Sequence, residues 1–249
     1  MLKFFRKIRK DLMEKNRTGK YLKYAIGEIA LVMVGILLAL QVNNWNEYRK
    51  LENTTQHYLH SLLTDLEEDS LNLADRIIFS DERVAEYEAY VAAFDSSDIT
   101  IQEVIGGLTT VSPETSTLTY KTNTIEILKS TGDIKLIPHE IRDRIIDLNS
   151  SQEYSDFVIK RNLGIFIEDL WDVGKLGWSG SAVRLSRKPT MGALVRKHMW
   201  TEERTIEIIC AVEAIYANKY DTEKIIKDFY EAQLLDISEI RALIKSELN

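Results

Sequence analysis

The sequence predicts an all-α protein in which a single transmembrane helix continues into a long helix, followed by a helical-bundle extracytoplasmic domain. Three observations carry this prediction: an apolar stretch near the N-terminus, only three prolines and eleven glycines in 249 residues, and apolar side chains that recur every three or four residues. We predict a basic amphipathic cytoplasmic arm at 1–20, a transmembrane helix at 21–45 and a helical periplasmic domain at 46–249.

The transmembrane prediction depends on the residues that flank the apolar run. Residues 29–40 are uninterrupted but number only twelve, and the apolar character of 21–26 extends them to the roughly 20 residues that a bilayer core requires. Tyr21, Tyr24 and Trp45 stand where membrane-interface anchors are expected. A cleaved signal peptide is one alternative, although no small-x-small cleavage site follows, and a buried soluble helix is another.

Charge predicts the orientation of this helix. Residues 1–23 carry nine Lys or Arg and two acidic residues, whereas the whole chain has a net charge of −7. By the positive-inside rule the N-terminus stays in the cytoplasm and the acidic remainder crosses the membrane. In a bacterium with two membranes that compartment is the periplasm, and the predicted location is then the bacterial inner membrane. The arm either lies on lipid headgroups or serves only as the topology signal. Nucleic acid is not an expected partner, because the larger part of the chain repels phosphate.

Glu28 is a carboxylate inside the apolar segment. Gly35 and Ala39 share its helical face, and small residues beside a polar one predict self-association through the transmembrane helix. Two interpretations stay open: Glu28 is an ion-responsive group in an oligomeric channel or motor, or it is a neutral or paired group near headgroup depth that assists assembly.

Beyond the membrane, residues 47–95 predict a long helix or a helical hairpin with a turn near Ser80 and Asp81, and 100–249 the remaining helices. The acidic run at 65–69 is expected to be a solvated helix face. Steps of four and three predict a coiled-coil or packed-helix seam at Leu73, Ile77, Ser80, Val84, Tyr87, Val91 and Phe94.

Helix boundaries follow from capping residues. Thr122 or Asn123 is expected to begin a helix that ends at Gly132, and Pro138 to stand in the first turn of the next one, whose apolar pattern runs on through Phe157. Cys210, the single cysteine, is expected to be a small core residue. Two helices are predicted to close the chain, Thr201–Leu234 and Ile237–Leu248, the second capped by Asp236 or Ser238.

Residues 174–189 have the Gly and Ser density of a loop. A basic group and one tryptophan within it predict a binding loop for an envelope protein partner. The residues concerned are Trp178, Arg184, Arg187 and Lys188.

Catalytic signatures are not found. His57 and His60 offer two ligands on one helical face, and no third ligand at a recognisable spacing accompanies them. Metalloprotease, redox, hydrolase and dinucleotide motifs are missing from the sequence. We therefore predict no catalytic, metal-binding or cofactor-binding residue, no cofactor, and a protein that is not an enzyme.

Two motifs carry a resemblance. The segment YAIGEI...GILLALQVNNWNE, with Gly27, Glu28 and the run Asn43, Asn44, Trp45 and Asn46, and the later ILKSTGDIKLI, with Ser130, Gly132, Leu136 and Ile137, resemble an uncharacterised family of bacterial single-pass inner-membrane proteins. The resemblance implies a basic arm, one membrane helix, a helical extracytoplasmic domain and an envelope location. It implies no activity.

The function predicted from sequence is a homo-oligomeric envelope scaffold or sensor that acts through its periplasmic helices. The first alternative is an ion channel or ion-driven motor-type subunit that uses Glu28; the layout alone is similar to that of the smaller subunit of such motors. A membrane-tethered hydrolase is the second.

Overall fold

The computed structural model describes residues 18–95, 99–178, 184–198 and 200–249, so most of the basic arm lies outside the described residues. The structure is 88% helical and the described residues contain no strand, which confirms the all-α prediction. The helices are α1 (Thr18–Ala92), α2 (Ile101–Leu108), α3 (Asn123–Thr131), α4 (His139–Leu176), α5 (Pro189–His198) and α6 (Glu202–Leu248), with 3₁₀ turns at Ala93–Asp95 and Asp133–Leu136.

The chain divides into two compact units, one up to His57 and one from Tyr58 to Asn249. In the first unit, the apolar side chains of α1 between Leu22 and Val42 are exposed. Within the described residues, α1 is the helix long and apolar enough to cross a membrane. A helix that exposes so many large apolar side chains needs an apolar environment to cover them.

Helix α1 continues through Ser80 without a break, so of the two predicted alternatives the structure has the long helix and not the hairpin. Ser80 is buried and its hydroxyl donates a 3.0 Å hydrogen bond to Glu223 Oε2 of α6. The small Ser80 side chain lets α6 pack close to α1, and it does not end α1. Near the C-terminal end of α1, Tyr90 is buried, whereas Val91, which belongs to the predicted seam, is exposed.

Three long helices build the second unit: α1 from Tyr58 onward, α4 and α6. Residues late in α6 pair with residues early in α1 and α4, so α6 runs antiparallel to both. The pairs that establish this are Glu67–Arg241 and Tyr87–Glu213 for α1, and Arg144–Glu239 and Phe166–Tyr216 for α4.

Helix α6 is one helix to Leu248, so the predicted break near Asp236 is wrong. Ile237, Ile240 and Ile244 are fully buried and continue the apolar stripe through the predicted boundary. No Gly or Pro occurs in this helix to interrupt its backbone. The packing of its apolar stripe stabilises the helix through Asp236.

The prediction that Cys210 is a core residue is wrong. Cys210 is exposed on α6, because the buried face there is formed by Ile208 and Val212. On α4, Phe157 is exposed, whereas its neighbours Ile159 and Leu163 are buried. A continuous apolar run shows that one face packs, and the tertiary arrangement selects which face.

The acidic run on α1 is not a fully solvated face. Asp69 is buried and accepts hydrogen bonds from the Lys121 backbone N–H (2.9 Å) and from Gln152 (3.4 Å), and burial raises its pKa. Asp65 accepts the backbone N–H of Thr124, 3.2 Å away, in the first turn of α3. This carboxylate from another helix replaces the side-chain cap that Thr122 does not make.

Helix α3 ends as the sequence predicts. Gly132 adopts a φ of 77°, the left-handed conformation that favours glycine at a helix C-terminus. The chain then turns through Asp133–Leu136, and the Tyr58 hydroxyl donates a 2.9 Å hydrogen bond to Asp133.

Candidate functional site

An apolar cavity of about 630 Å³ lies within the second unit. It is formed where α2 and the segment after it meet the C-terminal end of α4 and the N-terminal half of α6. Its lining residues are Ile105, Leu108, Thr109, Val111, Pro113, Leu170, Gly177, Trp178, Trp200, Thr205, Ile208, Ile209 and Tyr216.

Helix α2 forms one wall of this cavity and is fixed at both ends. At its N-terminus Thr100 and Glu103 make a capping box, with the Glu103 carboxylate accepting the Thr100 backbone N–H at 2.7 Å. Near its C-terminus Gly107 packs on Tyr90 of α1 so closely that an added Cβ would lie 2.8 Å from the tyrosine ring. Leu108 then turns inward and is buried.

Two tryptophans stand at the ends of helices that border the cavity. Trp178 follows Gly177, whose φ of 120° ends α4, and the Trp178 backbone N–H reaches Val173 O at 3.2 Å. Trp200 lies between α5 and α6, and its backbone N–H reaches Val195 O at 3.0 Å. Both side chains are half-buried, so two large apolar rings border the cavity without filling it.

Helix α6 supplies the longest wall. Thr201 begins this helix by accepting the Arg204 backbone N–H. From Thr205 to Tyr216 the lining residues extend over about 16 Å, since an α-helix rises 1.5 Å per residue. The cavity is therefore long in the direction of α6.

Tyr216 is the single titratable residue among the described residues that line the cavity. Its side chain is almost fully buried, and burial raises the pKa of its hydroxyl, so the phenol stays protonated at neutral pH. The hydroxyl makes no hydrogen bond to another described residue. It is thus available to a polar atom that enters the cavity.

A buried ion pair lies one turn further along α6. Lys219 Nζ is 3.3 Å from Glu223 Oε1, and both side chains are almost fully buried. Ser80 binds the other carboxylate oxygen, and the Phe166 ring lies under the ammonium group at 5.7 Å from its centroid. Burial lowers the pKa of Lys219. The cluster joins α1, α4 and α6, and Glu223 Oε1, which faces the ammonium group, accepts no hydrogen bond.

A second buried polar group joins α4 and α6 to the segment that precedes α3. Tyr120 donates to Gln233 at 2.7 Å, and Gln233 donates to Ser155 at 2.8 Å. Burial raises the pKa of Tyr120 to about 12, which keeps this donor protonated. Neutral groups that satisfy one another specify helix register and offer no free acid, base or nucleophile.

The residues predicted for the membrane segment belong to the first unit and are not among the described residues that line the cavity. Glu28 is half-buried, whereas Gly35 and Ala39 are exposed, and a Cβ built on Gly35 meets no atom within 4 Å. Tyr24 and Trp45 are exposed, and the Arg49 guanidinium lies 5.6 Å from the Trp45 ring centroid. The Tyr21 side chain lies outside the described part of the chain.

The predicted loop is shorter than expected, because α4 extends to Leu176 and α5 begins at Pro189. Trp178 lines the cavity, whereas Arg184, Arg187 and Lys188 are exposed and do not line it. The structure therefore separates the tryptophan from the basic group. Residues 179–183 between them lie outside the described residues.

The sequence reasoning missed Trp200 and the α6 wall. Trp200 directly precedes Thr201, the N-cap of α6. An aromatic residue next to the start of a helix is the sequence feature that could have indicated this part of the cavity. His57 and His60 are not joined by further ligands: among the described residues no group of three or more His, Cys, Asp or Glu is placed to hold a metal ion.

The fold and the cavity define a class: an all-helical protein that has an apolar helix of membrane-spanning length and a helical unit with an apolar cavity. Residues 28–155 match a family of unknown function, DUF6090, and since this match spans more than half of the chain, the protein belongs to that family. The match begins at Glu28 and includes the LKSTGDIKLI motif. No curated protein and no solved structure matches the chain.

Proposed function

We propose that this protein is a single-pass inner-membrane sensor whose periplasmic helical unit binds a small molecule without transforming it. The apolar cavity carries this proposal. Its volume of about 630 Å³ falls within the range of about 300–1,000 Å³ that is usual for small-molecule sites, and its lining is mostly aliphatic and aromatic.

The chemistry of the lining favours binding over catalysis. General acid–base catalysis and covalent catalysis need a positioned carboxylate, imidazole, amine or activated nucleophile. The described lining residues carry aliphatic and aromatic groups, two threonine hydroxyls and the protonated Tyr216 phenol. Groups of this kind hold and orient a molecule, and they supply no base at neutral pH.

The exposed apolar face of α1 supports the membrane part of the proposal. The lysines and arginines before residue 24 supply the positive-inside signal, so the N-terminus is assigned to the cytoplasm and the cavity to the periplasm. In this arrangement Glu28, Gly35 and Ala39 form the face through which the spans associate into a homo-oligomer. The exposed basic group of Arg184, Arg187 and Lys188 is assigned to contact with an acidic surface of an envelope partner.

The topology is tested with the single cysteine. Cys210 is exposed on α6, so a membrane-impermeant maleimide added to intact spheroplasts is expected to label it. Cys210→Ser gives the background, and a cytoplasmic thiol protein checks that the membrane is sealed. Labelling that requires lysis of the spheroplasts contradicts the proposed orientation.

The cavity is tested by the small molecules that copurify with the full-length protein. Ile209→Trp narrows the cavity, whereas Ile206→Trp adds the same side chain at an exposed position on the same helix and is the matched control. We expect a species near one per chain with wild type and Ile206→Trp, and its loss with Ile209→Trp. Quantitative mass spectrometry of solvent extracts measures it; identical extracts from all three proteins contradict a ligand-binding role.

A further inference from the structure

We propose that the cavity selects an uncharged, elongated, mainly apolar molecule with one hydrogen-bonding group, and that the Tyr216 hydroxyl binds that group. This inference rests on the proposed ligand-binding function and names the ligand class. Three features of the cavity carry it: the lack of charge in its lining, its length and its unsatisfied hydroxyl.

The lining argues for a neutral ligand. Its described residues include no Asp, Glu, Lys, Arg or His. An ion that leaves water for such a site loses its hydration without gaining a counter-ion, so a charged molecule pays a penalty that a neutral one of equal length avoids.

The nearest buried charges do not change this conclusion. Lys219 and Glu223 neutralise each other, and Ser80 occupies the second oxygen of the carboxylate. Glu213, which also lies on α6, accepts the hydroxyl of Tyr87. These charged groups are engaged on the side of α6 that packs on α1 and are not among the residues that line the cavity.

The shape argues for an elongated ligand. Thr205 and Tyr216 mark the two ends of the α6 wall, about 16 Å apart along the helix. Opposite this wall, Leu170 of α4 and Leu108 of α2 present branched aliphatic surfaces, and Trp178 and Trp200 border the site. A chain or an extended ring system contacts all of these walls at once, whereas a compact molecule of the same polarity does not.

The buried phenol argues for one hydrogen-bonding group on the ligand. Tyr216 has no hydrogen-bond partner among the described residues, and burial keeps its proton on the oxygen. The hydroxyl oxygen is not one of the fully buried atoms that lack a partner, so a molecule in the cavity can reach it and a ligand oxygen can accept its proton. Tyr220, four residues on, already donates to Glu88 at 3.0 Å and is not a lining residue.

The test uses the full-length protein in phosphatidylcholine nanodiscs and three radiolabelled probes of equal chain length: dodecanol, dodecanoate and dodecyltrimethylammonium. Equilibrium dialysis measures binding. Discs that carry the Ile209→Trp variant give the lipid background, because a probe partitions equally into the lipid of wild-type and variant discs. Thr205→Trp, one turn away on the same wall, provides a second background variant.

We expect saturable binding of one dodecanol per chain, with both ions at least about tenfold weaker. Tyr216→Phe is expected to weaken dodecanol binding about threefold to tenfold, the effect of one hydrogen bond, and the matched Tyr220→Phe to leave it unchanged. Ions that bind as tightly as dodecanol, with sensitivity to Ile209→Trp, overturn the ligand class and leave the binding function standing. Binding of no probe above the variant background overturns the inference, and with identical copurification extracts the proposed function fails as well.

Discussion

Lys219→Met is expected to destabilise the protein by about 3–5 kcal/mol, because it leaves Glu223 as a buried carboxylate without its cation. Lys219 and Glu223 are 3% and 2% exposed, so water cannot replace the lost partner. Ser80 still donates its hydrogen bond to Glu223 Oε2, but a hydroxyl does not neutralise a charge. Denaturant unfolding of the full-length protein in mild detergent, followed by circular dichroism, measures the change.

The double variant Lys219→Met/Glu223→Leu separates the cost of an orphaned charge from the loss of packing. Replacing both ions with apolar side chains of similar size is expected to restore stability to near the wild-type value, because burial of either ion is itself unfavourable. Lys227→Met is the matched control: Lys227 lies on the same helix and pairs with the exposed Asp81 at 2.6 Å, so its replacement is expected to destabilise the protein much less than that of Lys219. A double variant as unstable as the single one contradicts this account.

Ile240→Ala is expected to cost about 2–5 kcal/mol, the usual range for truncating a large core side chain. Ile240 is 0% exposed and belongs to the larger hydrophobic cluster, together with Ile237 and Ile244. This cluster holds the last three turns of α6 against the rest of the unit, so the variant leaves a cavity within the core.

Leu235→Ala is the matched control for this prediction. Leu235 lies five residues earlier on the same helix and is 62% exposed, so its truncation is expected to change stability by no more than about 0.5 kcal/mol. The same denaturant titration compares the two variants. Equal effects at the two positions contradict the continuous packing of α6 beyond Asp236.

Much of the fold could be predicted because it depends on local chemistry. Few helix breakers and apolar steps of three and four residues predict helices, and they are present. The stop at Gly132 follows from the ease with which glycine adopts a positive φ, 77° here. Helix α2 likewise begins at a local signal, the capping box of Thr100 and Glu103.

Whether a helix continues through a polar residue, and which of its side chains turn inward, could not be predicted in the same way. The predicted breaks at Ser80 and Asp236 rested on polar residues that often end helices, whereas packing against other helices maintains α1 and α6 through both points. Likewise, Asp65 and Asp69 are solvated by local criteria, and they turn inward because the Thr124 and Lys121 backbone N–H groups from distant segments need acceptors.

The candidate site shows the same division. Trp178 was identified from its unusual place between glycines, although its role was assigned to a protein-binding loop shared with Arg184. Trp200, Thr205 and Tyr216 were not identified, because nothing in their sequence neighbourhood reveals that α2 and the end of α4 lie across from them. A cavity is a property of the gap between elements and has no local signature.

By itself, the sequence determined the helical class, the apolar segment from Leu22 to Val42 and the motifs that mark the family, because helix propensity, hydropathy and capping act within a few residues along the chain. Only the tertiary structure decided that α1 and α6 run unbroken, that Lys219 and Glu223 share a buried site, and that the helices leave an apolar cavity beside Trp178 and Trp200. Those outcomes depend on which surfaces meet across long sequence separations, and packing free energy selects them where local preference is weak.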